Sequence, residues 1–151
     1  MEPPTAAQPI YAGEYRHTMD AKNRVTIPAR WRRGEIEEFF SIADPDGGFL
    51  MVMPLDALRE VAERVERDAR VTPQERQKFI RRFYSRAQHL VVDKAGRMVI
   101  PEGQCNQLQL SGEVVLVGSY ARFEVWNPEK WEKTCEEDDR TYRQVLAMTG
   151  I

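Results

Sequence analysis

Two hydrophobic spacings alternate along the chain. Tyr15 to Met19, Arg24 to Ile27, Phe40 to Ala43 and Phe49 to Met53 are short strand-like runs, and Leu55, Leu58, Val61 and Val65 then recur at helical spacing. The first set predicts strands and the second an amphipathic helix over 55–70. The series then returns. Leu90 to Val92, Arg97 to Ile100, Val114 to Val117 and Arg122 to Trp126 read as strands, and Asn127-Pro128-Glu129 opens a helix with Asn as N-cap and proline at the first helical position. Between the two series Thr72-Pro73-Gln74-Glu75 is a capping-box sequence. It starts a connecting helix whose apolar face is Phe79, Ile80, Phe83, Tyr84 and Ala87.

The return is a sequence repeat. Asp20-Ala21-Lys22-Asn23-Arg24-Val25-Thr26-Ile27-Pro28 comes back as Asp93-Lys94-Ala95-Gly96-Arg97-Met98-Val99-Ile100-Pro101, at an offset of 93 − 20 = 73 residues. Both read D-x-x-x-R-x-x-I-P. The same offset carries Leu50–Met53 onto Phe123–Trp126 and Leu55–Leu58 onto Pro128–Trp131. One register without a gap therefore runs from Asp20 to Leu58, as expected of a duplication. Asn23 and Gly96 take equivalent turn positions and both tolerate positive φ, so each copy is expected to open with a hairpin or a closely related tight turn. Pro28 and Pro101 cannot donate to a ladder; the strand ends there and a helical turn can begin. A lone copy of four short strands has little core and exposed edges, so the two copies are expected to pair about a pseudo-twofold axis.

Composition narrows the class. With 42% hydrophobic and 30% charged residues among 151, the chain reads as an ordinary globular protein. No stretch approaches the ~20 apolar residues of a membrane span. The acidic, Pro-rich start, residues 1–10, reads as a disordered tail and not a signal peptide. Cys105 and Cys135 are too few for a disulfide framework and fit a reducing cytoplasm. A net charge of −2 argues against a uniformly basic surface, but the charge is segregated. Lys22, Arg24, Arg30, Arg32 and Arg33 follow one another with no acid among them, and Arg76, Lys78, Arg81, Arg82 and Arg86 form a second basic stretch. Acid gathers in Glu35-Ile36-Glu37-Glu38 and Glu136-Glu137-Asp138-Asp139. One basic face on a mildly acidic chain fits an anionic polymer meeting one side only.

Little else in the sequence carries chemistry. His17, His89 and the cysteines have no zinc-ligand spacing, and no nucleophile motif or Gly-rich phosphate loop is present. No catalytic residue, metal site, cofactor or small-molecule substrate is expected. The repeated turn remains. Asp20 and Asp93 can accept backbone N–H bonds, and as acids they would repel phosphate, so they are assigned with Asn23 and Gly96 to turn structure. Arg24 and Arg97 could pair with carboxylates inside the fold. The basic surroundings of Arg24 favour DNA instead, with Lys22, Arg24, Arg30, Arg32 and Arg33 on phosphates and one or two arginines on guanine edges. The second copy keeps Lys94 and Arg97 but has Glu102 after its proline, so weaker binding is expected there.

Glu14-Tyr15, both D-x-x-x-R-x-x-I-P segments, Phe83-Tyr84-Ser85 and Val114-Val115-Leu116-Val117-Gly118 together resemble the MraZ family of bacterial regulators, within the AbrB-like swapped-hairpin superfamily. The likeness spans about Tyr11 to Tyr142; Asn23 stands where the family usually has Gly, and 1–10 extend beyond the usual start. It implies an α+β fold, two tandem swapped-hairpin AbrB-like β units forming a pseudo-twofold barrel with flanking helices. The units are then 11–71 and 88–142, each SpoVT-AbrB-like with its helix, joined by a connecting helix over 72–87 and followed by a C-terminal tail over 143–151. It also implies binding of double-stranded DNA at direct repeats upstream of the protein's own operon, in the division and cell-wall gene cluster. A ring-shaped homo-oligomer, a cytoplasmic, nucleoid-associated location and DNA contact by Arg24 complete the expectation. The rival is an interaction protein, a ring that uses the D-x-x-x-R turns for subunit contacts.

Overall fold

Strand pairing follows the duplication. In the computed structural model residues 10–34, 37–44, 46 and 48–151 are described. Almost all of the expected tail 1–10, and Glu35 and Ile36 of the first acidic run, lie outside the described residues. The strands are β1 (Glu14–Thr18), β2 (Arg24–Thr26), β3 (Glu37–Ala43), β4 (Leu50–Met53), β5 (Gln88–Val92), β6 (Arg97–Val99), β7 (Glu113–Ser119) and β8 (Arg122–Trp126). They form one antiparallel sheet in the order β1-β7-β8-β4-β3-β5-β6-β2. The two end strands, β1 and β2, are joined by the Asp20–Arg24 turn, so the sheet curls into a nearly closed barrel and its edges meet.

Four seams join the copies, and two of them, β2–β6 and β4–β8, are each reciprocal. Arg24 faces Val99, Val25 faces Met98 and Thr26 faces Arg97 along β2–β6. Beyond this ladder the Ile27 N–H donates to the Gly96 carbonyl at 2.8 Å, and the Ile100 N–H to the Asn23 carbonyl at 2.9 Å. On β4–β8, Leu50 faces Val125 and Val52 faces Phe123. Exchanging the copies at the 73-residue offset maps each pair onto another in the same seam, which is a pseudo-twofold axis. The hairpins are swapped: each turn closes on itself, but its strands part at once. β1 runs along β7, β2 along β6, and β5 meets β6 only at Val92–Met98.

The gapless register does not survive in full. Phe40 faces Met53 where Val115 faces Trp126, so β3 and β7 are separated by 115 − 40 = 75 residues while the flanking strands keep 73. The first copy is two residues shorter before β3 and two longer after it. The cause lies past the prolines. After Pro28 the chain makes only a 3-10 turn, Ala29–Trp31, whereas after Pro101 it makes a full helix, here α3 (Glu102–Leu108), in chain order after α1 (Leu55–Arg67) and α2 (Pro73–Ser85). Trp31 and Gln104, equivalent in the 73-residue register, are both buried. Trp31 fills the core and donates its Nε1–H to the Ala12 carbonyl at 2.9 Å. Gln104 makes a buried two-way contact with Ser41 of β3, accepting from its Oγ at 2.5 Å and donating to its carbonyl at 3.0 Å.

The barrel interior is lined by Val25, Ile27, Phe39, Leu50, Val52, Leu90, Val92, Met98, Ile100, Leu116, Phe123 and Val125, with Tyr11 and Trp31 edge-on at 5.9 Å. Gly118 lets the chain pass close by, since a Cβ there would lie 2.6 Å from the Tyr11 carbonyl carbon. Outside β3 and β4 a second cluster packs Ile42, Met51, Met53 and Leu58 against Phe83, Tyr84 and Ala87. It seats α1 and α2. The α2 capping box is present at Thr72 and Glu75, and the Tyr84 hydroxyl donates to the Leu58 carbonyl at 2.5 Å. α1 stops at Arg67, short of the expected residue 70. α4 (Pro128–Thr149) has the expected Asn127 cap but continues to a left-handed Gly150. Most of the expected C-terminal tail 143–151 is thus helix, because no proline or glycine interrupts it before Gly150. Among the described residues no helix is long and apolar enough to cross a membrane.

Candidate nucleic-acid interface

Each turn is built by its aspartate. Asp20 Oδ1 accepts the backbone N–H of Lys22 and of Arg24, each at 2.9 Å, and the Asn23 N–H closes onto the Asp20 carbonyl at 3.0 Å. Asp93 Oδ1 takes the Arg97 N–H at 3.0 Å and the Gly96 N–H closes onto its carbonyl at 2.9 Å. Asn23 (φ 61°) and Gly96 (φ 81°) are both left-handed, as a three-residue hairpin loop with a bulge requires. The Arg24 backbone N–H, before its side chain, holds the Asp20 carboxyl below its ordinary value. The Arg97 N–H does the same for Asp93, and the charges of Arg97 and of Arg24 add to the lowering. That Arg24 acts across the copies follows from the seam, which sets the turns side by side.

The geometry thus makes one surface out of two motifs. Along β2 and β6 the side chains alternate, with Val25 and Met98 inward and Thr26 and Val99 exposed on the outer side with the partly exposed Arg24 and Arg97. Arg32 lies against Gly96, its guanidinium where a Cβ would stand, and shares a shallow concavity with Ala29, Gly34 and Lys94. Arg24, Arg32, Lys94 and Arg97, with Lys22 in the first turn, are brought to one end of the barrel, and the aspartates there are engaged in their own turns. Thr26 and Val99 were missed from the sequence, although the period-two alternation through R-V-T-I and R-M-V-I places them beside the arginines.

Two expectations need adjustment. The arginines do pair with the acids of their own turns: Arg24 Nε meets Asp20 Oδ2 at 2.6 Å, and Arg97 Nε stands 3.6 Å from Asp93 Oδ2. Arg33, grouped with the basic run by sequence alone, turns the other way. Its guanidinium lies 4.8 Å over the Tyr11 ring and 3.8 Å from Asp56, and its backbone N–H donates to Glu37. Arg30 is exposed on the 3-10 turn. Among the described residues no group of three or more His, Cys, Asp or Glu is placed to hold a metal ion. His89 meets Glu38 at 2.7 Å on the surface, away from the turns.

Comparison with known proteins adds a family to this geometry. Residues 83–147 match the family described as "MraZ protein, putative antitoxin-like". A protein of Carboxydothermus hydrogenoformans named transcriptional regulator MraZ is 35% identical over 136 residues, 90% of this chain and 94% of its own length. Proteins of the same name from Moorella thermoacetica and Desulfitobacterium hafniense are each 34% identical, covering 90% and 94% of this chain and 94% and 100% of their own.

Proposed function

The chain belongs to the MraZ family, and on that premise we propose that it is a non-enzymatic transcriptional regulator that reads double-stranded DNA through the paired turns. The observation that carries this is the β2–β6 ribbon, whose outer side joins Arg24 and Arg97 from the two copies with Lys22, Arg32 and Lys94 close by. A two-stranded ribbon fits the major groove, which is roughly 12 Å wide. Arg24 and Arg97 face the base edges, with the lysines, Arg30 and Arg32 on phosphates. The Nε bond to Asp20 aims the Arg24 guanidinium while its Nη groups can still fork onto guanine O6 and N7. Arg97 is held more loosely, its Nε 3.6 Å from Asp93. Thr26 and Val99 offer methyl groups to thymine. The targets are short direct repeats upstream of the protein's own operon, among the division and cell-wall genes, and the protein works on the cytoplasmic nucleoid.

The second part of the proposal is a closed homo-oligomer, ring-shaped. One subunit offers a handful of cations, and each neutralised phosphate contributes a log–log salt slope of about −0.9, so a single subunit binds modestly and loses affinity steeply in salt. A ring sets neighbouring ribbons before neighbouring repeats, raising avidity by roughly 10²–10⁴ without a new contact. The test is binding to one, two and three tandem repeats, and to two repeats with a half-turn of spacer added. Affinity should climb steeply with repeat number and fall with the spacer; equal affinity per site throughout would remove the ring from DNA recognition. The short Asp20–Arg24 contact also favours a second reading, in which the turns only shape subunit contacts. A salt-sensitive gel shift on the upstream DNA separates the two: no shift leaves the second.

A further inference from the structure

Two helix faces on this molecule are charged, exposed and opposite in sign. On α2, Lys78, Phe79, Arg82 and Arg86 share one side at helical spacing. Among the described residues none of Arg76, Lys78, Arg81, Arg82 and Arg86 is in an ion pair. Phe79 is 40% exposed in their midst, its ring held by stacking on Phe83 at 5.4 Å. On α4 the first turns are anchored: Trp131 donates to Glu14 at 2.6 Å and packs 5.3 Å from Trp126, and Glu132 meets Arg16 at 3.5 Å. From Lys133 to Thr149 no hydrogen bond or ion pair joins α4 to another element among the described residues. Over that length Asp138, Tyr142, Val145 and Leu146 fall on one side, with Asp139 beside them, and Tyr142 and Val145 are 64% and 48% exposed.

The pseudo-twofold axis says what such a face is for. α4 follows β8 as α1 follows β4, at the same 73-residue offset, Trp131 standing for Leu58. In the first copy α1 is covered by α2, through Phe83 and Tyr84. No described helix covers α4 in the corresponding way. The uncovered acidic–apolar face and the unpaired basic–aromatic face complement each other in sign and in hydrophobic content. They lie on different helices, each seated on its own copy, so one face cannot meet its own kind without like charges opposing.

We propose that the distal half of α4 docks on the outer face of α2 of a second copy of this chain. Asp138 and Asp139 meet Lys78, Arg82 and Arg86, and Tyr142 and Val145 pack on Phe79. Each chain carries one face of each kind, and in the ring proposed above the contact is head-to-tail, each subunit offering α4 to one neighbour and α2 to the other. This rests on the homo-oligomer proposed above and names its interface, leaving the β2–β6 ribbon free for DNA.

The test uses the full chain and two charge reversals, Lys78→Glu with Arg82→Glu, and Asp138→Lys with Asp139→Lys, followed by sedimentation, circular dichroism and binding to a single repeat. Each variant alone should fold, bind a single repeat as the parent does and lose self-association by about tenfold or more. Mixing the two should restore assembly, because the reversed α2 of one then fits the reversed α4 of the other. Assembly of either variant at parental strength, or failure of the mixture to recover, overturns the interface while the ring stands. A monomeric parent overturns both. Weakened single-repeat binding by the α2 variant with assembly intact assigns that face to DNA and also overturns the proposal.

Discussion

Asp20 holds two backbone N–H groups and the Arg24 side chain, with Nε at 2.6 Å, whereas Asp93 stands 3.6 Å from Arg97 Nε, a buried nitrogen left without a hydrogen-bond partner. One motif, one backbone trace and two grips on the arginine result. The pattern continues past the prolines, where Trp31 plugs the core and its equivalent Gln104 pins a helix to β3 through Ser41. Duplication supplied a seam that needs both copies, since Ile27 bonds to Gly96 and Ile100 to Asn23. With the seam in place, the side chains around it were free to diverge. The first copy invested in an aimed arginine and an aromatic core, the second in a helix and a looser arginine.

The largest break in this comparison comes from its buried ends. Trp31→Ala should cost about 3–5 kcal/mol, since the indole is 1% exposed and touches Tyr11, Tyr15 and Phe123. Gln104→Ala should cost less, about 1–3 kcal/mol, mainly by leaving the Ser41 hydroxyl unpaired in the core. Urea midpoints of the two variants check the order, and a costlier Gln104 would mean the helix, not the aromatic plug, holds the barrel. Next are the arginines. Arg24→Ala should weaken specific DNA binding about 10–100-fold with the fold intact. Arg97→Ala should cost only severalfold, the low end of the roughly 1–3 kcal/mol of a base contact, as its looser hold and the Glu102 that follows Pro101 suggest. Gel shifts at fixed salt with parallel melts decide it: equal losses make the ribbon symmetric in function as well as in backbone.

How much of this the sequence displayed depends on whether the signal was local. Turn residues, caps and strand periods act over a few positions, so Asn23, Gly96, Thr72, Asn127 and both prolines marked their elements correctly, and the repeat announced the barrel. Side-chain direction is a tertiary matter. Arg33 sits one residue from Arg32 in sequence, yet one lies over Tyr11 and the other against Gly96, because the chain leaves the 3-10 turn in extended conformation at Arg32. The two-residue offset of β3 was invisible for the same reason. A shortening before the strand is cancelled by a lengthening after it, and only the pairing of Phe40 with Met53 against Val115 with Trp126 exposes it. The acids accept backbone N–H groups of their own turns, and Asp20 holds the Arg24 side chain as well, a contact between side chains that the local pattern does not display.

A smaller effect separates the turn centres. Asn23→Gly should be nearly neutral, because glycine reaches φ 61° without strain. Gly96→Ala should cost about 1–2 kcal/mol for a left-handed alanine, and its Cβ would displace the Arg32 guanidinium. DNA affinity should therefore fall with Gly96→Ala beyond what the melt explains. A variant that loses stability but binds at parental strength would remove Arg32 from the interface.

The smallest difference is one of pH. Both turn aspartates are held below the 3.8 of a free side chain, Asp20 by the Arg24 and Lys22 N–H groups and the Arg24 side chain, Asp93 by the Arg97 N–H with the charges around it. A carboxyl whose pKa is lower in the folded chain than in the unfolded one stabilises the fold above the unfolded value, and that contribution is lost as pH falls through the folded value. Stability should therefore drop as pH goes below 3.8, and none of this drop should occur between pH 5 and 8. Asp20→Asn should flatten the acid limb more than Asp93→Asn, since Asp20 also loses its short contact with Arg24. Neither abolishes it, because Glu60, Asp68 and Glu75 are held low by their own arginines or cap. Urea midpoints measured from pH 5 downwards in the parent and both variants give the three slopes. Parallel slopes would mean that the aspartates keep their bonds in the unfolded chain, where a local turn can persist, and that the motif forms before the seam that joins its copies.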